Sequence, residues 1–203
     1  MKARMKFIAP SWNQIYAQCI SLATRLLERG KYDAIVGVSR GGLALTRIMS
    51  DLLDVEDVMI TRCEYYTDLG KTRERPAITQ KIHGSLRNKD VLLLDDVSDS
   101  GKSLVAIKKY LQRKRPRTLT VATLYVKPWT VMIPDVYVGK TDAWIVFPWE
   151  LYEAMKSVSL NGGKSKIGKT GIPKMFAKRI LELHRASFNR QWDPGVKDGG
   201  KTK

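Results

Sequence analysis

One stretch limits the folds open to this 203-residue chain more than any other: Val91-Leu92-Leu93-Leu94-Asp95-Asp96-Val97-Ser98-Asp99-Ser100-Gly101-Lys102-Ser103. Its four leading apolar residues read as a buried strand. Two adjacent carboxylates stand at the strand's C-terminal end. A small, hydroxyl-rich loop with one glycine follows, and an amphipathic helix begins near Gly101. Open α/β sheets bind ligands beyond the carboxyl ends of their strands. The free N–H groups of a helix start make a phosphate cradle. Acids for hydroxyls or a metal therefore stand beside a seat for a phosphate, which suits a phosphorylated sugar.

The rest of the chain alternates strands with helices. Ser11 and Gln14 form a capping box ahead of Trp12, Ile15, Cys19, Leu22 and Leu26 at helical spacing, and Gly30 ends that helix. Ala34–Val38 reads as a short buried strand, Ser39–Gly42 as a turn, Leu43–Leu53 as a helix and Val58–Tyr65 as a strand. Residues 66–77 are polar and aperiodic, and a loop that long is usually functional or disordered. Beyond the strand at 91–95 and a helix over about 101–113 come Leu119–Val126, Val136–Val138 and a short strand at Trp144–Phe147. This order predicts an α/β fold with a doubly wound, mainly parallel sheet flanked by helices. After Pro148 the character changes. Trp149–Val158 reads as helix, and 159–171 is rich in Gly, Lys and Ser. Pro173 then opens a helix with Phe176, Ile180, Leu183 and Phe188 on one side. The expected organisation is a domain over 1–150 and a basic helical extension over 151–203, disordered from about Asp193.

Composition narrows the class. At 43% hydrophobic content the chain can bury one full core with an appendage. No apolar run approaches the roughly 20 residues that cross a bilayer, and Met1–Ile8 lacks the apolar stretch of a signal peptide. Cys19 and Cys63 lack metal-ligand spacing. A soluble, cytoplasmic protein is expected. The net charge is +16, of which Lys156–Lys203 supplies +9, from twelve Lys/Arg against three acids. Such a balance favours polyanions or anionic substrates, or is a solvated basic surface.

Two further constellations sharpen the reading. Val38-Ser39-Arg40-Gly41-Gly42 again ends a strand in a turn whose glycines let backbone N–H groups approach a ligand. Alone it is a tight strand-to-helix turn; at the same sheet edge as the 91–103 loop it becomes an anion site. Tyr125-Val126-Lys127-Pro128 and Asp142-Ala143-Trp144-Ile145-Val146-Phe147-Pro148-Trp149-Glu150 complete the set.

The 91–103 run resembles the phosphoribosyl pyrophosphate (PRPP) signature of type I phosphoribosyltransferases. With Lys127 and Trp144 the resemblance sharpens to the purine branch: the xanthine-guanine and hypoxanthine-guanine enzymes and short archaeal purine phosphoribosyltransferases, over about residues 6–150. The resemblance implies that Asp95 and Asp96 hold the ribose hydroxyls, directly or through Mg²⁺. The amides of 99–103, with Ser100, Gly101, Lys102 and Ser103, would bind the 5′-phosphate. Ser39, Arg40 and Gly41 would bind pyrophosphate, across a cis peptide joining Ser39 and Arg40. Lys127 would lie beside purine position 6 and Trp144 would stack on the ring. Ile145 would offer backbone groups to the base edge. Glu150, where several relatives have Asp, would sit near position 2 or a second Mg²⁺. Asp99 would serve purine N7 as general base. Tyr66 and Lys71 would belong to a loop that closes over the site; many relatives carry Ser-Tyr where this chain has Tyr65-Tyr66.

The implied reaction joins a purine base and Mg·PRPP to give a purine nucleoside 5′-monophosphate and pyrophosphate. Lys127 favours a 6-oxopurine, because an ammonium facing the 6-amino group of adenine lacks an acceptor. The extension after Pro148, absent from compact 6-oxopurine enzymes, and related archaeal adenine-using enzymes keep adenine close behind. Relatives form homodimers or tetramers. The alternative from another class is a regulator of this fold that binds RNA or DNA, supported by Arg179, Arg185 and Arg190 near an amphipathic helix.

Overall fold

The computed structural model describes residues 6–66, 75–162 and 170–191. The elements are β1 (Phe7–Ile8), α1 (Trp12–Leu27), β2 (Ala34–Ser39), α2 (Gly42–Leu52), β3 (Val58–Tyr66), β4 (Arg75–Gln80) and β5 (Asp90–Ser98). They continue as α3 (Lys102–Gln112), β6 (Thr118–Val126), β7 (Val136–Lys140), β8 (Trp144–Ile145), α4 (Leu151–Gly162) and α5 (Lys174–Gln191). Contacts group them into two compact units, Trp12–Asp142 and Met1–Ser11 with Ala143–Lys203.

In the first unit six strands form one sheet, ordered β4-β3-β2-β5-β6-β7. Every neighbouring pair is parallel except β3 and β4. Strand pleating sorts the apolar residues between two faces. Ala34, Val36, Val38, Val91, Leu93 and Val121 pack with Leu104, Ile107 and Leu111 of α3. Helices α1 and α2 bury Ile15, Cys19, Leu22, Leu26, Leu45 and Met49. Full burial of each such side chain stabilises the fold by about 1.5–3 kcal/mol. The sheet is the doubly wound, mainly parallel one that the alternating pattern predicts. From β2 the chain builds outward to β3 and β4, then crosses to β5 on the other side of β2. The reversal falls between β2 and β5, where sheets of this kind open a crevice at the strands' carboxyl ends.

In the second unit β1 pairs in parallel with β8, Phe7 against Trp144 and Ile8 against Ile145. Val146, Ala154, Met155, Ile172 and Ala177 form its core, with Phe7, Ala9, Leu151 and Ile180 packed on it. No helix among the described residues is long and apolar enough to cross a membrane.

Several expectations change. Arg75, Pro76 and Ala77, read as loop, belong to β4. Their partners Tyr66, Tyr65 and Glu64 supply a ladder that residues without apolar alternation do not announce. The strand at Trp144 is two residues long and joins β1, an element the sequence pattern does not reveal. Among the described side chains of α5, Ala177 is buried and Ile180 packs beside it, whereas Phe176 and Leu183 are exposed. The Phe188 side chain, like the tail from Trp192, lies outside the described set. Residues from Ala143 to Glu150 group with α4 and α5, and Val146 shares a core with Ala154, Met155 and Ala177.

Candidate active site

Strand β5 runs through both carboxylates to Ser98, three residues past the expected end. Its ladder with β6 persists at Val97–Tyr125 and Ser98–Val126, which holds the backbone extended there. The pleat then sends the neighbours to opposite faces. Asp95 is half-buried and its Oδ1 accepts the Asp96 N–H at 3.0 Å. Asp96 is only 5% exposed.

Gly41 explains that burial. A Cβ on Gly41 would stand 2.4 Å from Asp96 Oδ2, so only glycine lets the 39–42 turn reach the carboxylate. The Ser39–Arg40 peptide is cis, as expected. Arg40 is exposed, and α2 starts at Gly42 with its first N–H groups beside the turn.

The loop after β5 turns at Gly101, which has φ 75° and caps α3 without a side-chain hydrogen bond. A Cβ there would lie 2.4 Å from Thr130 Oγ1 and 2.6 Å from the Met132 nitrogen, so close approach and positive φ both require glycine. A recess of about 90 Å³ is lined by Asp95, Ser98, Asp99, Ser100, Gly101 and Ser103. Lys102 is exposed at the first position of α3. Ser103 lies within hydrogen-bond reach of Cys63, whose thiol pKa is raised chiefly by burial.

The segment after β6 backs this loop. Lys127 N–H donates to Ser98 O at 3.0 Å and Val131 N–H to Ser100 O at 3.1 Å. Ser98 Oγ donates to Met132 O at 2.6 Å and lies 2.8 Å from Thr130 Oγ1. Lys127 is 7% exposed, and burial pushes its pKa below the ordinary lysine value against the opposing pull of Asp99 and Asp142. Its Nζ lies 5.6 Å from the centre of the Trp129 ring. Trp129 Nε1–H in turn donates to Asp99 Oδ1 at 2.9 Å. Asp99, Lys127 and Trp129 thus form one cluster. Sequence reasoning missed Trp129, although an aromatic two residues beyond Lys127 was a visible signal.

Trp144, Ile145 and Glu150 belong to the second unit. Trp144 is 46% exposed, and its N–H donates to Lys6 O at 2.8 Å. Val146 N–H donates to Ile8 O at 2.8 Å. Since β1 engages residues 144 and 146, strand alternation turns the Ile145 N–H and C=O to the opposite edge. Glu150 precedes α4 and its carbonyl accepts the Ala154 N–H at 2.9 Å. Phe147 and Trp149 stack with ring centres 4.8 Å apart. Tyr66 ends β3, while Lys71 lies outside the described residues.

A larger recess of about 390 Å³ lies beside β7, away from these groups. There Arg25 and Arg29 already donate to the Tyr137 and Asp135 carbonyls at 2.7 and 3.0 Å. Acids, hydroxyls and helix-start amides converge on the smaller recess, the kind of grouping that marks a candidate site better than volume does.

The family profile described as phosphoribosyl transferase domain matches residues 11–155. The xanthine-guanine phosphoribosyltransferase of Cereibacter sphaeroides is 31% identical over 149 residues, which span 70% of this chain and 85% of that protein. The crystal structure of a purine phosphoribosyltransferase from Pyrococcus horikoshii is 38% identical with a TM-score of 0.65, over 71% of this chain and 95% of that one. A Neisseria gonorrhoeae protein crystallised with ppGpp shares the fold at 23% identity and a TM-score of 0.67, over 90% of this chain and 99% of its own. The likeness of fold therefore reaches past residue 155. With the strand-end acids, the glycine turn and the helix-start loop in place, the chain belongs to the phosphoribosyltransferase family, in its purine branch.

Proposed function

We propose that this enzyme transfers the 5-phosphoribosyl group of PRPP to a purine base in nucleotide salvage, giving a purine nucleoside 5′-monophosphate and pyrophosphate. The observation that carries the reading is the contact of Gly41 with Asp96, which sets the 39–42 turn against the strand that ends in the Asp99–Ser103 loop. Relatives named xanthine-guanine and purine phosphoribosyltransferase support it.

In this reading the Asp99–Ser103 amides, with the Ser100 and Ser103 hydroxyls and Lys102, bind the 5′-phosphate. Asp95 and Asp96 bind the ribose hydroxyls. Breaking the anomeric C–O bond leaves positive charge on the ribose and negative charge on the departing pyrophosphate. Arg40 and the amides around Ser39 and Gly41 oppose the second charge by preorganised electrostatics. The carboxylates favour the first. Asp99 accepts or orients the proton of purine N7, a contribution of roughly 10²–10⁴-fold.

Mg²⁺ fits the donor chemistry of Asp95 and Asp96. It is a hard cation that takes one or two carboxylates, keeps several waters and shares substrate oxygens. Among the described residues no group of three or more His, Cys, Asp and Glu is placed to hold a metal ion. When bound it offsets charge on the pyrophosphate.

The base is a 6-oxopurine by preference over adenine. Lys127 donates to a 6-oxo acceptor, Trp144 stacks on the ring, Ile145 presents its backbone edge, and Glu150 serves position 2 or a second Mg²⁺. The enzyme assembles as a homodimer or tetramer.

Product assays with Mg·PRPP and adenine, hypoxanthine, guanine or xanthine, each alone, test the proposal. Nucleotide from hypoxanthine, guanine or xanthine is expected at higher kcat/KM than from adenine. Nucleotide from none of the four refutes it, and salt-sensitive RNA or DNA binding without turnover would establish the regulator instead.

A further inference from the structure

We infer that Trp129 is a positioning residue, whose indole N–H fixes the Asp99 carboxylate beside Lys127. The inference rests on the proposed transferase function and extends it to a side chain with no assigned role. Asp99 is exposed on a loop, where an acid samples several rotamers. The Trp129 Nε1–H···Oδ1 bond of 2.9 Å selects one of them.

The donor is itself held in register. Lys127 N–H and Val131 N–H bond to the carbonyls of Ser98 and Ser100, the two neighbours of Asp99. Thr130 N–H donates back to Lys127 O at 3.2 Å, closing a turn that has Trp129 at its tip. Gly101 packs against Thr130 and Met132 with no room for a Cβ, so the turn sits directly against the loop that carries Asp99. The same ring lies 5.6 Å from Lys127 Nζ, so one side chain touches both groups that face the base in the proposed reaction. Core packing does not account for the residue, since Trp129 is 56% exposed.

Trp129→Phe in the full chain keeps the ring and removes the donor. With hypoxanthine and Mg·PRPP, kcat is expected to fall about tenfold, the worth of one hydrogen bond to a charged group. KM for PRPP should stay within about twofold, because no phosphate or ribose contact is touched. In Asp99→Asn the same change should add no further loss, since the two residues act as one unit. An unchanged kcat, losses that multiply in the double variant, or a rise confined to KM for the base would overturn the inference; the last would make Trp129 a stacking surface. Should the variant not fold, ¹⁵N-indole spectra of the wild type and Asp99→Ala decide. The Trp129 N–H resonance moves upfield when its acceptor is lost, and an unmoved resonance overturns the inference. Absence of transfer by the wild type to any of the four purines defeats the functional reading, whereas an unmoved indole in an active enzyme defeats only the role of Trp129.

Discussion

The Asp95–Ser103 run and the Trp144–Glu150 run read with equal clarity in the sequence, yet they are positioned by different physics. The first is ordered by its own neighbours: a strand, a glycine at φ 75° and a helix start within a few residues. Even its supports, the turn at Gly41 and the segment from Lys127, follow adjacent strands of one sheet. The second depends on a partner more than a hundred residues away, since β8 exists only as the neighbour of Phe7–Ile8. The Asp95–Ser103 loop is thus local in sequence, whereas the edge built on β8 inherits its place from Phe7–Ile8.

Substitutions can break this contrast. The largest effect is expected at Asp99→Asn, with kcat reduced roughly 10²–10⁴-fold and PRPP affinity retained, as read by steady-state kinetics and equilibrium binding. Unchanged turnover would remove Asp99 from the chemistry. Gly41→Ala forces a Cβ against Asp96, and overpacking of that kind costs about 1–3 kcal/mol. Thermal unfolding and PRPP titration should both register it, since the turn must retreat from β5. Lys127→Ala should lower kcat/KM for hypoxanthine by roughly 10–100-fold and leave adenine use nearly unaltered.

The same lysine predicts a pH dependence. Burial lowers its pKa, so the ammonium is lost at a lower pH than in an exposed lysine. KM for a 6-oxopurine should therefore rise on the alkaline side below the usual value near ~10.4. Lys127→Arg should carry that limb to higher pH; an identical limb would show that another group titrates. The smallest effect tests the distant strand. Ile8→Pro removes a backbone N–H from β1 and should raise KM for the base roughly 3–10-fold, about one hydrogen bond, while PRPP binding holds. Equal loss of both would show that the two runs are not positioned independently.

Much of the first unit was legible. Helix spacing at Ile15, Cys19, Leu22 and Leu26 found α1, all four of them fully buried. The Val91–Leu94 run found β5, because consecutive apolar residues fit a strand covered on both faces. Strand ends were less legible. Asp96 falls just past the strand expected over 91–95 but lies within β5 at 5% exposure, because β6 keeps pairing past it. β4 was missed because its residues carry no apolar alternation and pair antiparallel with β3 at the edge of the sheet. Trp129 stands outside any periodic pattern, and only its place two residues beyond Lys127 marks it.

By itself the sequence determined the alternation of the main strands and helices, the doubly wound class, and the turn at Gly101 that opens α3. These follow from side-chain periodicity and from glycine's tolerance of positive φ, which neighbouring residues decide. Only the tertiary structure decided that Gly41 meets Asp96, that Trp129 bonds Asp99 beside Lys127, and that β8 is completed by β1. Contacts between segments far apart in the chain are set by strand order and packing, which no local pattern encodes.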